Sequence, residues 1–446
     1  MSLQFITGNS GNGKTKYLFN RIVKEAKANP RDNYLVIVPE QFTMQTQRQL
    51  VDLSENKAIM NIDVLSFKRL AYRVFDELGI TNLTVLEETG KNLVLRKLAA
   101  QEADKLGVIG RNLNRIGYIS EVKSLLSELV QYNISPEELG RYIASGRLSD
   151  TLSDKLKDVL VLYEAFEKFM QDKYITAEEI LNVLSNVAEE SAILRNSVIA
   201  FDEFTGFTPI QNQLIKKLFV ISKKIYVTLT IDCREDIFKS RGMQELFDMP
   251  KRTVKSLTEM AAFYGIEVEE PIILDKNYRL AENEELSFME QQLFRKRRGS
   301  FKKAPKHIHI DCLRDPKQEL TKIARRINEL VRNENLRYRD IAIVTGDVNI
   351  YAGYVREIFD KYNIPYFIDA TQEILFHPFI EFIRSIPDIA AQNFSADAVF
   401  RFLRCGFSEL LDSEIDVLEN YVLACGVRGK SAWDHQLPLI HISEPT

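Results

Sequence analysis

ITGNSGNGKT, residues 6–15, carries glycines at 8, 11 and 13 and a Lys–Thr pair directly after the last of them. The spacing is G-x-x-x-x-G-K-T. Glycines at those places let the backbone curl until successive N–H groups point inward, toward the oxygens of a phosphate. A helix beginning just after the loop adds the partial positive charge of its N-terminus. In such a loop the lysine reaches the β- and γ-phosphates of a nucleotide, and the threonine hydroxyl is a ligand for Mg2+. The flanks fit. Leu3–Ile6 is a short, mostly apolar run that reads as a strand, and Phe19, Val23 and Ala26 recur at helical spacing after Lys14. The candidate nucleotide-binding residues are therefore Gly8, Asn9, Ser10, Gly11, Asn12, Gly13, Lys14 and Thr15, with ATP and Mg2+ as the expected ligands.

Outward from the loop, Tyr34–Val38 and Asp63–Phe67 are further short apolar runs, separated by helical stretches. Strands alternating with helices imply βαβ units and a parallel sheet. From about Glu87 to Asn196 the strand signal vanishes. Ile119, Val122, Leu126 and Leu129 form one helical stripe, and Leu152, Leu156, Val159, Tyr163, Phe166 and Met170 form another. Ser135-Pro136-Glu137-Glu138 reads as a helix start, with a serine cap and a proline in the first turn. Strands return at Val198–Phe201 and Ile225–Ile231. The pattern predicts a phosphate-loop, RecA-like α/β domain formed by 1–85 and 197–290, with an all-helical domain, 86–196, inserted into it. The basic stretch 291–305, containing Arg295, Lys296, Arg297 and Arg298, reads as a linker. The runs 307–313, 339–345 and 364–368, with helices between them, predict a second, incomplete α/β domain over 306–446.

A phosphate loop needs a carboxylate at the end of a neighbouring strand to hold the metal, and a hydrolase also needs a group to orient water. Val198–Phe201 ends in Asp202-Glu203. Acids at the carboxyl end of a buried strand lie where open α/β sheets bind ligands. Asp202 is the candidate metal ligand, with Thr15, and Glu203 the candidate general base.

FDEFTGFTPIQ, 201–211, resembles the D-E-F-Q-D-x-x-x-x-Q motif of superfamily 1 helicases of the UvrD type, and Asn277-Tyr278-Arg279 matches their N-Y-R motif. The resemblance implies that Arg279 contacts the γ-phosphate. Gln211 is either the motif's last residue or, with Thr208, a helix capping box. Within that superfamily the chain is most similar to the B-subunit family of AddAB-type ATP-dependent helicase/deoxyribonucleases. VIVPEQFTMQTQ (36–47), VLSFKRLAYRVF (64–75) and ILFHPFIEFIRSI (374–386) carry the likeness with the motifs above, and it covers residues 1 to about 435. It implies a DNA-end-processing function, with single-stranded DNA and the A-subunit of a heterodimeric helicase–nuclease as partners, and a part in scanning the passing strand for the Chi sequence. It also implies a longer protein ending in a nuclease domain with an iron–sulfur cluster, of which this chain resembles an N-terminal fragment. The tail QLPLIHISEPT does not read as the end of a domain. Two departures stand out. After Ile225–Ile231 the helicases carry G-D-x-x-Q, where this chain has Asp232 and no nearby glutamine, and the last helicase motifs are absent. Both lower the expectation of motor activity and leave an active translocase and a non-hydrolysing DNA-binding scaffold as alternatives.

Composition sets the remaining bounds. The 446 residues are 45% hydrophobic and 27% charged, with a net charge of −4, so contacts to DNA must come from local basic patches. Lys68, Arg69 and Arg73 form one such group; Phe42 and Phe67 beside it could stack on bases or pack in the core. No apolar run is long enough to span a bilayer, and no L-S-G-G-Q transporter signature occurs. The chain opens straight into a strand without a leader-like segment. Cys233, Cys312, Cys405 and Cys425 lie far apart, which argues against a zinc site or disulfide framework and for buried free thiols in the cytoplasm.

Overall fold

The computed structural model describes residues 1–434, apart from 82–83, 108–109, 111–116, 146–147, 172–173, 296–298 and 371–373. The basic residues Lys296, Arg297 and Arg298 and the QLPLIHISEPT tail lie outside the described residues. The chain divides into two compact units, Met1–His309 and Ile310–Thr446.

In the first unit the strands β1 (Ser2–Gly8), β2 (Tyr34–Ile37), β3 (Ile62–Leu65), β6 (Val198–Phe201), β7 (Lys224–Thr230), β8 (Glu267–Val268) and β9 (Ile272–Leu274) form one sheet. Its order is β3-β2-β6-β7-β1-β8, with β9 also on β1, and every pair is parallel. Alternation along the strands fills two cores. Leu3, Phe5, Leu35, Ile37, Ile199, Phe201, Ile225 and Val227 face one side. Ile6, Tyr34, Val36, Val198, Ala200 and Tyr226 face the other. Helices α1 (Lys14–Ala28) and α2 (Thr43–Leu53) cover the second side with Leu18, Phe19, Ile22 and Leu50. The first side is covered by α3 (Phe67–Leu78), α8 (Ile180–Val187), α9 (Pro209–Ile221) and α10 (Asp248–Phe263). Burial on both faces explains why these strands read as continuous apolar runs. The run 63–67 divides: Ser66 caps α3 by accepting from the Arg69 N–H, so Phe67 opens a helix instead of closing a strand.

Between α3 and β6 lie α4 (Glu88–Gln101), α5 (Tyr118–Gln131), α6 (Pro136–Ala144), α7 (Asp150–Met170) and α8, with the short pair β4 (Val85–Leu86) and β5 (Ile175–Thr176). Helices α4 to α7 bury their own core, which takes in both helical stripes except the exposed Leu152 and half-buried Leu156. Ser135 caps α6 with Pro136 in its first turn. Helix α8 lies within 86–196 yet gives Ile180 and Leu184 to the sheet's core. The buried Lys91 ammonium on α4 is held by Glu178 (2.7 Å) and Glu88 (2.9 Å). The unit continues through α11 (Glu284–Gln292).

The second unit contains α12 (Pro316–Asn333), α13 (Val348–Lys361), α14 (Pro378–Ala391), α15 (Ala396–Leu403), α16 (Asp412–Cys425) and α17 (Lys430–Trp433). Helices α12 and α13 share a small core around Leu320, Ala324, Ile327 and Phe359. The strands expected at 307–313, 339–345 and 364–368 are not formed among the described residues. A strand exists only through ladder hydrogen bonds to a neighbouring strand, and among the described residues these runs pair with none; Ile310, Val344 and Phe367 stand almost fully exposed. No helix among the described residues is long and apolar enough to cross a membrane. The cysteines are free, as expected, but Cys312 and Cys425 are exposed and the other two half-buried.

Phe67 is buried in a ring cluster with Phe201, Phe204 and Phe207, at centroid distances of 5.8, 5.6 and 6.4 Å. It is a core residue and offers no face to a base; Phe42 likewise packs, half-buried, on the opposite core. Phe67→Ala is expected to destabilise the first unit by about 3–5 kcal/mol, read as a lowered denaturation midpoint.

A candidate nucleotide site at the carboxyl edge of the sheet

Because all strands run the same way, the loops leaving β1, β6 and β9 emerge on one edge. Gly8 ends β1 opposite Leu274, the last residue of β9. The Asn277–Arg279 segment that follows β9 is thereby delivered onto the glycine loop. Gly11 (φ +88°) and Gly13 (φ +78°) adopt left-handed backbone. A Cβ on Gly11 would lie 2.8 Å from Arg279 Cβ and 2.9 Å from Asn277 Oδ1. The approach is sealed by hydrogen bonds: the Tyr278 N–H donates to the Gly11 carbonyl (3.0 Å) and Asn277 Nδ2 to the Ser10 carbonyl (2.9 Å).

Gly13 caps α1 without a side chain, so the first-turn N–H groups have no side-chain acceptor and no acid stands in that turn. The positive end of the helix is left open to an anion. Lys14 Nζ donates to the Asn9 carbonyl (3.0 Å). Burial pulls its ammonium below the ordinary lysine value, against the opposing pull of Glu203 and Asp202. The Thr15 hydroxyl stands 3.3 Å from both Asp202 Oδ1 and Glu203 Oε1. These residues line one cavity of about 680 Å3, together with Thr228, Tyr278 and Arg279.

Asp202 is almost fully buried; its Oδ1 accepts from the Thr228 hydroxyl, and its Oδ2 has no hydrogen-bond partner. Burial pushes its carboxyl above the usual aspartate value; the Thr228 hydrogen bond opposes this, and the Glu203 charge reinforces it. Among the described residues no three His, Cys, Asp or Glu side chains form a metal cage. Mg2+ needs none, since it keeps waters and takes one or two carboxylates plus phosphate oxygens. The orphaned Asp202 Oδ2 and the Thr15 hydroxyl fit that ion. Glu203 sits at φ +63°, a left-handed position that costs a non-glycine residue about 1–2 kcal/mol. Such strain gathers where a side chain must be aimed.

The sequence-predicted residues Gly11, Gly13, Lys14, Thr15, Asp202, Glu203 and Arg279 come together. The side chains of Asn9 and Asn12 turn elsewhere, Asn9 to Glu290 and Cys233, Asn12 to the Leu274 carbonyl (2.6 Å). Thr228 was missed; it is one of two threonines in the stretch IYVTLTI, the one level with Ile6 of β1. Gln211 forms the capping box with Thr208. Lys68, Arg69 and Arg73 are exposed on α3.

Fold and site define an α/β protein whose parallel sheet carries a phosphate-type glycine loop facing an acidic strand end. Residues 5–290 match the family described as ADDB, N-terminal, and the chain belongs to that family. It is similar to the B-subunit of the ATP-dependent helicase/deoxyribonuclease of Lachnoclostridium phytofermentans, 39% identical over 98% of this chain and 38% of that protein. The corresponding B-subunits of Clostridium tetani (34%) and Clostridioides difficile (33%) align over 98% of this chain and 39% and 38% of their own lengths. The chain thus spans less than two fifths of the curated relatives it matches.

A carboxyl whose folded pKa lies above its unfolded value holds its proton more tightly in the folded chain. Its ionised form therefore costs stability as pH rises through that window. Asp202→Asn should raise the melting temperature of the nucleotide-free chain at neutral pH. The gap over the wild type should close as pH falls and Asp202 itself takes up a proton; calorimetric melts across pH test both.

Proposed function

We propose that this chain is the ATP- and DNA-binding N-terminal part of the B-subunit of a helicase–nuclease that processes double-strand DNA ends in recombinational repair. The observation that carries the proposal is the convergence of Lys14, Thr15, Asp202, Glu203 and Arg279 on one cavity, in a chain whose relatives are named as such subunits. In this reading Lys14 leaves the Asn9 carbonyl for the β- and γ-phosphates, and the open N–H groups of the loop and α1 take the remaining phosphate oxygens. Thr15 and Asp202 would hold Mg2+, which when bound would withdraw charge from the phosphates. Glu203, aimed by its strained backbone, orients the attacking water and accepts its proton. Arg279, fixed against Gly11, meets the charge developing on the γ-phosphate.

The chain acts as the scanning half of the enzyme, with the A-subunit as motor and single-stranded DNA passing over surfaces such as Lys68, Arg69 and Arg73 of α3, in the cytoplasm. Asp232, which stands at the aspartate of the helicases' G-D-x-x-Q in a stretch with no nearby glutamine to couple DNA to the γ-phosphate, is engaged by Arg234 (2.5 Å) and Arg295 (3.0 Å). That engagement supports a weakly coupled site. An arginine of the phosphoryl-transfer type is worth about 10³–10⁵ in rate, and among the described residues Arg279 is the one that lines the cavity.

Lys14→Ala should weaken Mg-ATP binding by about 10- to 100-fold, the worth of a lost charged hydrogen bond, with an unchanged circular dichroism spectrum; unaltered affinity by calorimetric titration would sink the nucleotide site. Phosphate release by residues 1–446 should be slow and barely stimulated by single-stranded oligonucleotide. Robust DNA-stimulated turnover, lost in Glu203→Gln, would make the chain a working translocase instead.

A further inference from the structure

Asn9 uses its carboxamide at both ends, away from the cavity. Nδ2 donates to Glu290 Oε1 (2.8 Å), and Oδ1 accepts from the Cys233 N–H (2.9 Å). Its backbone carbonyl takes the Lys14 ammonium and the Asn12 N–H (3.2 Å). Asn9 pins the glycine loop to α11 and to the chain after β7, apart from the ties that Ser10, Gly11 and Asn12 make to 274–278.

Glu290 stands on α11, and its Oε1 also accepts from Arg295 Nη2 (3.2 Å). The Arg295 side chain is largely covered; its Nε donates to Asp232 Oδ2 (3.0 Å), and its guanidinium lies 4.5 Å from the Phe247 ring centroid. A planar guanidinium held at its edge by carboxylates and at its face by a ring has little freedom left. At the other end of α11, Glu285 accepts from the N–H groups of Lys306 (2.7 Å) and His307 (2.8 Å). Glu284 pairs with Lys303 (2.6 Å), and Phe288 packs on Phe301 (5.4 Å between centroids). One helix therefore grips the glycine loop near its C-terminus and the departing chain at its N-terminus.

We propose that Glu290 is a positioning residue for the glycine loop, and that α11 passes the loop's occupancy to segment 299–309, by which the chain leaves the first unit. The inference rests on the nucleotide-site reading above. When Lys14 swings to a phosphate it releases the Asn9 carbonyl, while the Asn9 side chain keeps its tie to Glu290 of α11. A phosphate held by the loop orders Asn9, and with it Glu290 and α11.

The test is tryptic cleavage of the full 1–446 chain after Lys302, Lys303 and Lys306, read by mass spectrometry with and without saturating Mg-ATP. Loading is measured separately by calorimetry. In the wild type Mg-ATP should slow cleavage at these sites about fivefold, the lower end of ordinary allosteric coupling. Glu290→Ala should bind nucleotide yet lose the effect, and Glu290→Gln, which keeps an acceptor for Asn9, should recover it. Glu285→Ala, cutting the far end, should keep wild-type affinity, raise basal cleavage and show no nucleotide response. It carries the test if Glu290→Ala melts. A loaded wild type whose cleavage ignores or is hastened by Mg-ATP overturns the inference while the nucleotide site stands, as does a full response in Glu290→Ala or Glu285→Ala. A wild type that binds no Mg-ATP overturns both.

Discussion

Parallel pairing is the constraint from which the rest of the first unit follows. Each hydrogen-bonded ladder, from β3 at one edge to β8 and β9 at the other, fixes its neighbour in the same direction, so all carboxyl ends share one rim. Loops from β1, β6 and β9, far apart in sequence, are thereby forced into contact. The glycine loop has its acidic partner at Asp202 because β6 runs parallel to β1 across β7 and ends toward the same rim, and its basic partner at Arg279 because β9 ends level with Gly8. The chemistry of the rim is inherited from the register of the sheet.

Much of this was legible in the sequence. A strand buried on both faces must be apolar at every position, so 34–38 and 198–201 announced themselves. Amphipathic helices show a stripe, and those of α5 and α7 fell where the structure puts them. Family membership, too, was readable from the motifs, which are local: a loop, a strand end, a three-residue turn.

What was not legible is what depends on distant partners. Nothing in GNSGNGKT says that Asn9 spends its carboxamide on Glu290 and Cys233, residues more than two hundred positions away. Phe67, beside polar residues in sequence, was ambiguous until the fold set Phe201, Phe204 and Phe207 around it. The reading 63–67 ran two residues too far because a serine cap at Ser66 outweighs the strand preference of a phenylalanine. The second unit failed for a deeper reason: apolar runs promise strands, but pairing requires a neighbour, and the described residues provide none.

Glu203 holds a further lesson. Its left-handed backbone is one that glycine would occupy without strain, and the chain keeps a charged, unbranched acid there regardless. Folding and chemistry therefore pull this codon in opposite directions. A library of variants selected for heat resistance alone would drift toward glycine or asparagine at position 203. A thermostability screen of this chain would quietly discard a carboxylate that the glycine loop faces.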